Sequence, residues 1–263
     1  MEIRGATALV TGASGGIGAA IAEGLHRRGA TLRLTGRNEA QLEAVAARTG
    51  GQVITCDLGD RAQLDELAAA SLDCDIFVAN AGLPGSGPLL DFSPEEIDHA
   101  LDVNLRAPIQ LSRALGAEMA GRGRGHIIFI SSLLGKIATP GSSLYSATKF
   151  GLRGFAAGLR ADMAASGVGV GVVFPGFIRD AGMFHDSGTR LPAWVGTNTP
   201  AEVADAVCRA ISDNRAETDV APMMIRSTVW AAGAAPGLAT RVIDRLGASS
   251  VSSQLARGQR DKR

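Results

Sequence analysis

The sequence predicts an α/β fold, a doubly wound parallel β-sheet with helices packed on both faces. Three observations predict it. Short apolar runs alternate with longer helix-like segments along most of the chain. The apolar runs are nearly continuous rather than alternating, as strands buried on both faces require. The first of them turns directly into a helix-like segment through Thr11-Gly12-Ala13-Ser14-Gly15-Gly16-Ile17-Gly18.

Each element can be justified in order. Ala6 to Val10 reads as strand one and Ile17 to Arg28 as the helix it feeds. Thr31 to Thr35 gives strand two, Asn38 to Arg48 a helix, Gln52 to Cys56 strand three and Ala62 to Ala70 the next helix. Asp75 to Ala79 is strand four, Glu95 to Ala120 a long helical stretch, Gly125 to Ser131 strand five, Ser143 to Ala165 a helix and Val168 to Phe174 strand six. Residues 176–199 read as a long irregular loop, of the kind that serves as a substrate lid. Thr199-Pro200-Ala201-Glu202 then starts a helix, with proline at its first position. Met223 to Leu246 is apolar but broken by Pro236-Gly237 and by arginines, which favours two short helices over the cleft or at a subunit interface. Peripheral membrane contact through Trp230 is the alternative. Ser249 to Arg263 reads as a solvated, mobile tail. The organisation expected is one domain over residues 1–263, with a C-terminal extension from about residue 222.

Composition narrows the function. Glycine is 34 of 263 residues, well above the usual ~7 per cent, which suits a fold rich in strand-to-helix turns. Basic and acidic side chains balance at 26 each, so no net field draws in nucleic acid. The odd number of cysteines, Cys56, Cys74 and Cys208, implies buried free thiols rather than a disulfide framework. A core strand begins within a few residues of Met1 and no run of eighteen apolar residues occurs, so the expectation is a cytoplasmic protein with no transmembrane segment. The four histidines show no metal-ligand spacing.

The glycine-rich turn is where a phosphate would sit. Gly12, Gly16 and Gly18 allow a tight turn and close backbone approach, and the N–H groups and dipole of the following helix attract an anion. The spacing lacks the Lys-Ser/Thr pair of an ATP or GTP loop, so a dinucleotide is the ligand expected. At the end of strand two, where an acidic residue would hold a ribose 2′-hydroxyl, the chain reads Thr35-Gly36-Arg37-Asn38. Arg37 could clamp a 2′-phosphate, with Ser14 nearby, so NADP(H) is favoured over NAD(H). The plainer role for Arg37 is a solvated residue opening a helix.

Further motifs follow in order: Asn80-Ala81-Gly82 after strand four, Asn104 within Asp102-Val103-Asn104-Leu105, Ser131-Ser132 closing strand five, Tyr145-Ser-Ala-Thr-Lys149 and Pro175-Gly176. Together with the glycine turn this set resembles the classical short-chain dehydrogenase/reductase family over about residues 5–220. The most specific part is Tyr-x-x-x-Lys thirteen residues after Ser132. The resemblance implies a Rossmann-like sheet, an NADP(H)-dependent oxidoreductase and assembly as a homodimer or homotetramer through the Asn104 and Tyr145 helices. It implies a catalytic set of Asn104, Ser132, Tyr145 and Lys149, with Lys149 gripping the nicotinamide ribose and Asn104 positioning a water. It further implies cofactor contacts at Gly12, Ser14, Gly15, Gly16, Ile17, Gly18, Arg37, Asn38, Asp57, Leu58, Asn80, Ala81, Gly82, Tyr145, Lys149, Pro175, Gly176 and Ile178. The chain departs from the family's Pro-Gly-x-x-x-Thr turn, having Asp180 in place of the threonine.

The chemistry can also be argued from the residues. Tyr145 and Lys149 lie four apart and share a helix face. A free phenol has a pKa near 10, and a close ammonium together with the charge of an oxidised nicotinamide is expected to lower it, Lys149 providing part of that. Tyr145 would then protonate a substrate oxygen that Ser132 holds as hydride arrives. Taken singly each has a plainer role: a core tyrosine, a surface lysine, a turn-capping serine, an asparagine satisfying backbone groups. Leu83, Leu133, Leu134, Ile137, Met183, Phe184, His185, Leu191 and Trp194 either line an apolar carbonyl or alcohol substrate or pack the lid on the body. An NAD-dependent alcohol or hydroxysteroid dehydrogenase, and a non-catalytic NADP(H)-sensing protein, are the rival functions.

Overall fold

The computed structural model describes residues 1–189, 191, 195–234 and 254–259. Seven parallel strands form one sheet in the order β3-β2-β1-β4-β5-β6-β7. They are β1 (Thr7–Thr11), β2 (Thr31–Gly36), β3 (Gln52–Thr55), β4 (Ile76–Ala79), β5 (Gly125–Ile130), β6 (Val168–Pro175) and β7 (Glu217–Val220). The strand order reverses between β1 and β4, so a crevice opens beyond their carboxyl ends, the place where such sheets bind ligands.

Alternate residues of the buried strands feed two cores. Ala8, Val10, Ile76, Val78 and Ile128 pack with α1 (Gly16–His26) and α8 (Pro200–Ser212). Leu9, Phe77, Ile127, Phe129, Val170 and Val172 face the other way, onto α5 (Ala107–Gly121) and α6 (Ser143–Asp162). Fully burying each large side chain contributes about 1.5–3 kcal/mol, which fixes the sheet beneath the crevice. The helices start where short polar side chains cap them. Asn38 accepts from Gln41 N at the start of α2 (Glu39–Thr49), and Asp60 caps α3 (Arg61–Ala69). Reciprocal capping boxes at Ser93 and Thr199 open α4 (Pro94–Leu101) and α8. All three cysteines are buried and free, and burial pushes each thiol up to about 11.

Several elements differ from expectation. The helical stretch from Glu95 is not regular: residues Asp102–Arg106 form a wider, π-type turn between α4 and α5. β7 was not anticipated because Glu-Thr-Asp-Val is short and polar, as an edge strand tends to be. The loop after β6 is not wholly irregular. It contains α7 (Gly182–Asp186), and Asn198 bonds to the backbone on either side of Ile178. Of the two short helices expected there, α9 (Met223–Ala234) is described, with Met223 and Trp230 exposed, and residues 254–258 of the tail are also helical. The second helix, Pro236-Gly237 and Trp194 lie outside the described residues. The tail does not simply dangle: residues 254–259 lie against the loop after α7, and Gln259 is only 4% exposed. No helix among the described residues is long and apolar enough to cross a membrane.

Candidate active site

The site begins with the β1–α1 turn. Gly12 has φ +64°, and a Cβ there would lie 2.8 Å from Ala81 Cα. A Cβ on Gly18 would lie 2.1 Å from Gly12 O, so the first turn of α1 folds onto the glycine loop only because Gly18 is bare. Asn80, at the end of β4, clasps this loop. Its Nδ2 donates to Thr11 O at 2.9 Å and Gly12 O at 3.2 Å, and Thr11 Oγ1 accepts from both Asn80 N and Ala81 N. The Nδ2 of Asn80 is therefore committed to holding the turn, while the residue also lines the pocket. Gly15 and Gly16 are exposed beside Ile17, at the N-terminus of α1.

Beside it lies the end of β2. The Ser14 hydroxyl sits 2.9 Å from where a Cβ on Gly36 would be, placing it next to Arg37. Arg37 is exposed, and no ion pair engages it among the described residues. Asn38 Oδ1 is committed to capping α2. Asp57 Oδ1 accepts from Gly59 N in a local turn, while Leu58 is buried. A phosphate entering here would meet a hydroxyl and a guanidinium with no opposing carboxylate at the strand end.

The proton-handling groups converge at the ends of β5 and α6. Tyr145 and Lys149 stand one turn apart, with Lys149 Nζ 5.5 Å from the phenol ring centre. Lys149 is 3% exposed, and its ammonium donates to Ile130 O at 3.0 Å. Among the described residues that is one hydrogen bond on a group with three donors, with no ion pair to a carboxylate. Burial accordingly lowers the Lys149 pKa to about 8. Burial also drives Tyr145 upward, to about 12, opposed only by a hydrogen bond with the Ser132 side chain. Burial thus works against the lowering expected of a nearby ammonium. Ser132 Oγ also accepts from Leu134 N at 3.2 Å, which orients it. The Ser131 hydroxyl donates to Lys149 O and ties β5 to α6.

Asn104 lies in the π-type turn, 1% exposed. Its Oδ1 accepts from Leu83 N at 2.6 Å, and its Nδ2 donates to Leu83 O at 2.9 Å. The amide therefore pairs with the backbone of the loop after β4, next to Gly82. A Cβ on Gly82 would be 3.3 Å from Asn104 Oδ1 and 3.6 Å from Lys149 Nζ, so that bare position keeps clear the space beside the amine. Gly85 does the same for Tyr145, whose backbone N would lie 3.0 Å from a Cβ there.

Tyr145, Ser132 and Lys149 share one pocket of about 380 Å³ with Asn80, Ile17, Pro175, Gly176 and Ile178. Leu133, Leu134, Ile137, Met183, Phe184 and Leu191 line it as expected, whereas Leu83 and His185 do not. His185 is exposed beside Asp186. Asp180 does not take over the role of the family's threonine. It has φ +70°, is turned towards Arg179 and solvent, and lines no part of the pocket. Arg179 N donates to Asn198 O and Phe177 O accepts from Asn198 N, so Ile178's own N–H faces away from that bridge. Sequence reasoning missed Gln259 and Leu255 as lining residues, because nothing in a polar tail marks a docking point. Met224, Ile225, Thr228 and Val229 line the pocket from α9, in line with a helix covering the cleft.

Comparison with known proteins fits this geometry. The family model described as short chain dehydrogenase matches residues 6–191. The chain is 35% identical over 227 residues to the ketoacyl reductase HetN of Nostoc sp., covering 83% of this chain and 79% of that protein. Among solved structures, a short-chain dehydrogenase from Sphingobium yanoikuyae in complex with NADPH superposes with a TM-score of 0.77 at 30% identity, covering 89% of this chain and 94% of that one. A bulky-bulky ketone specific alcohol dehydrogenase from Comamonas testosteroni superposes with a TM-score of 0.74 at 29% identity, covering 89% and 93%.

Proposed function

The chain belongs to the short chain dehydrogenase family of oxidoreductases, and on that premise we propose that it reduces a ketone or aldehyde to an alcohol with NADPH, on a small to medium apolar substrate. One observation carries the reading: the Tyr145 phenol and the Ser132 hydroxyl, with a buried amine one turn away, line an apolar pocket beside a glycine cradle.

The residues present fit a bound dinucleotide. The bare glycine turn leaves room for a pyrophosphate, Lys149 has donors to spare for ribose hydroxyls, and Ser14 with Arg37 suits a 2′-phosphate. Ile178 N–H is free of the Asn198 bridge and available to the carboxamide. The Sphingobium relative carries NADPH, which supports the same choice here. When bound, the cofactor supplies a hydride to the carbonyl carbon.

The chain supplies the rest. Ser132 Oγ donates to the carbonyl oxygen and orients it. As negative charge grows there, the Tyr145 hydroxyl gives up its proton, and the product leaves as an alcohol. Lys149, charged below about pH 8, stabilises the phenolate that remains. Asn104 holds the loop after β4 against this amine as a positioning residue. A homodimer or homotetramer across α5 and α6, where Phe150 is exposed, belongs to the same proposal. The test is NADPH consumption by the purified protein against ketones, aldehydes, quinones, steroids and β-keto thioesters. Turnover of a carbonyl with NADPH is expected; tight NADPH binding with no turnover of any of them would indicate a sensor instead.

A further inference from the structure

The tail contacts the lid at two points that are too close to be incidental. A Cβ on Gly258 would fall 2.1 Å from the carbonyl oxygen of Ser187 and 2.8 Å from its Cα, so backbone meets backbone there and only glycine fits. One residue on, Gln259 Nε2 donates to Met183 O at 3.0 Å. A carbonyl can only accept, so the Gln259 nitrogen must face it, while Oε1 stays buried without a partner among the described residues. Among the described residues, the Gln259 side chain is therefore hydrogen-bonded through its nitrogen alone. The contact reaches the chemistry in two steps: Met183 Cε lies 3.5 Å from where a Cβ on Gly82 would be, and that point is 3.6 Å from Lys149 Nζ. Leu255 and Gln259 also line the pocket beside Met183 and Phe184. The tail lies beyond residues 6–191, the part that matches the family model.

We infer that residues 254–259 latch the substrate lid, and that Gln259 is the positioning residue whose amide nitrogen holds Met183 over the catalytic amine. The latch closes the far side of the pocket and so limits the size of the carbonyl compound admitted. Its effect on substrate rests on the reductase reading above; its mechanical effect on the lid does not.

Two variants test it. Gln259→Met keeps length and volume but removes the donor, and Gly258→Ala pushes the tail off Ser187 while keeping the glutamine. Each is expected to raise KM for the best carbonyl substrate about tenfold, the worth of one good hydrogen bond, with kcat little changed and bulkier ketones gaining relative to smaller ones. Trypsin should cut faster after Arg179, within the lid, while the melting temperature stays at the wild-type value. Unchanged KM and unchanged cleavage in both variants would overturn the latch. So would a general fall in melting temperature with kcat and KM changing together, since that marks plain structural support. If the wild type turns over no carbonyl compound, the reductase reading fails and the cleavage rates alone decide the latch.

Discussion

Lys149 is the residue on which charge and burial conflict most directly. An ammonium 3% exposed, with one carbonyl partner and no carboxylate, carries a pKa of about 8 instead of 10.5. The folded value lies below the unfolded one, so the unfolded chain binds more protons between those pH values. The burial costs about 3 kcal/mol near neutrality and is relieved as pH rises from about 8 to 10.5. The same group sets the activity profile: kcat/KM for carbonyl reduction should fall as pH rises through about 8, before Tyr145 ionises near 12. A profile flat to pH 10 would remove Lys149's charge from the mechanism. Arg37 gives a second prediction. Arg37→Asp places a carboxylate where the 2′-phosphate is expected, and should weaken NADPH by about 2 kcal/mol or more while sparing NADH, read as the ratio of the two KM values. Which residues matter was legible from spacing, since Tyr145 and Lys149 need only a helix to share a face. Their ionisation was not, because it depends on how completely β5 and the loops around the pocket exclude water.

Among the elements, the β1–α1 turn and the π-type turn are the two that hold the site in shape. Gly18→Ala would drive a methyl into Gly12 O and the Asn80 amide, and should cost about 2–3 kcal/mol of stability together with cofactor binding, measured by urea unfolding and NADPH fluorescence. Asn104→Ala leaves both backbone groups of Leu83 without their partner; at about 1–3 kcal/mol for each buried polar group, it should lower stability and raise KM for NADPH. If Asn104→Ala is as stable as the wild type, the clasp on Leu83 is not what that residue does. Six of the seven strands were legible because parallel strands are apolar throughout. β7 was not, being a polar edge strand, nor was the widened turn at Asn104, since one extra residue in a helical turn leaves the apolar spacing almost unchanged. Both capping boxes rest on short sequence patterns, and the one at Thr199 was read as a helix start.

At the scale of the whole molecule, the sheet's interior sets its tolerance of acid. His126 lies in β5 opposite Gly169 of β6, and its ring fills the space a Cβ on Gly169 would need. It is 1% exposed with Nε2 unpaired among the described residues, and burial lowers its pKa from 6.5 to about 3. The folded value is depressed, so the unfolded chain binds more protons as pH falls below 6.5, and stability is lost in that direction. Between pH 7.5 and 5 the loss from this group should be about 2 kcal/mol, and His126→Gln should abolish that part of the fall in urea unfolding. Equal falls in both proteins would show that the ring titrates freely. The sheet and its binding crevice were legible in the sequence because both follow from local patterns repeated along the chain. The docking of the tail was not: it rests on one glycine and one glutamine that meet the lid only after the chain has folded back on itself.

The most direct measurement is NADPH oxidation by Tyr145→Phe, with the best carbonyl substrate, alongside a fluorescence titration of NADPH binding. Removing the hydroxyl should lower turnover by about a hundredfold to ten-thousandfold while NADPH still binds. Turnover at the wild-type rate would contradict the assignment of Tyr145 as the proton donor, and with it the chemistry proposed for this pocket.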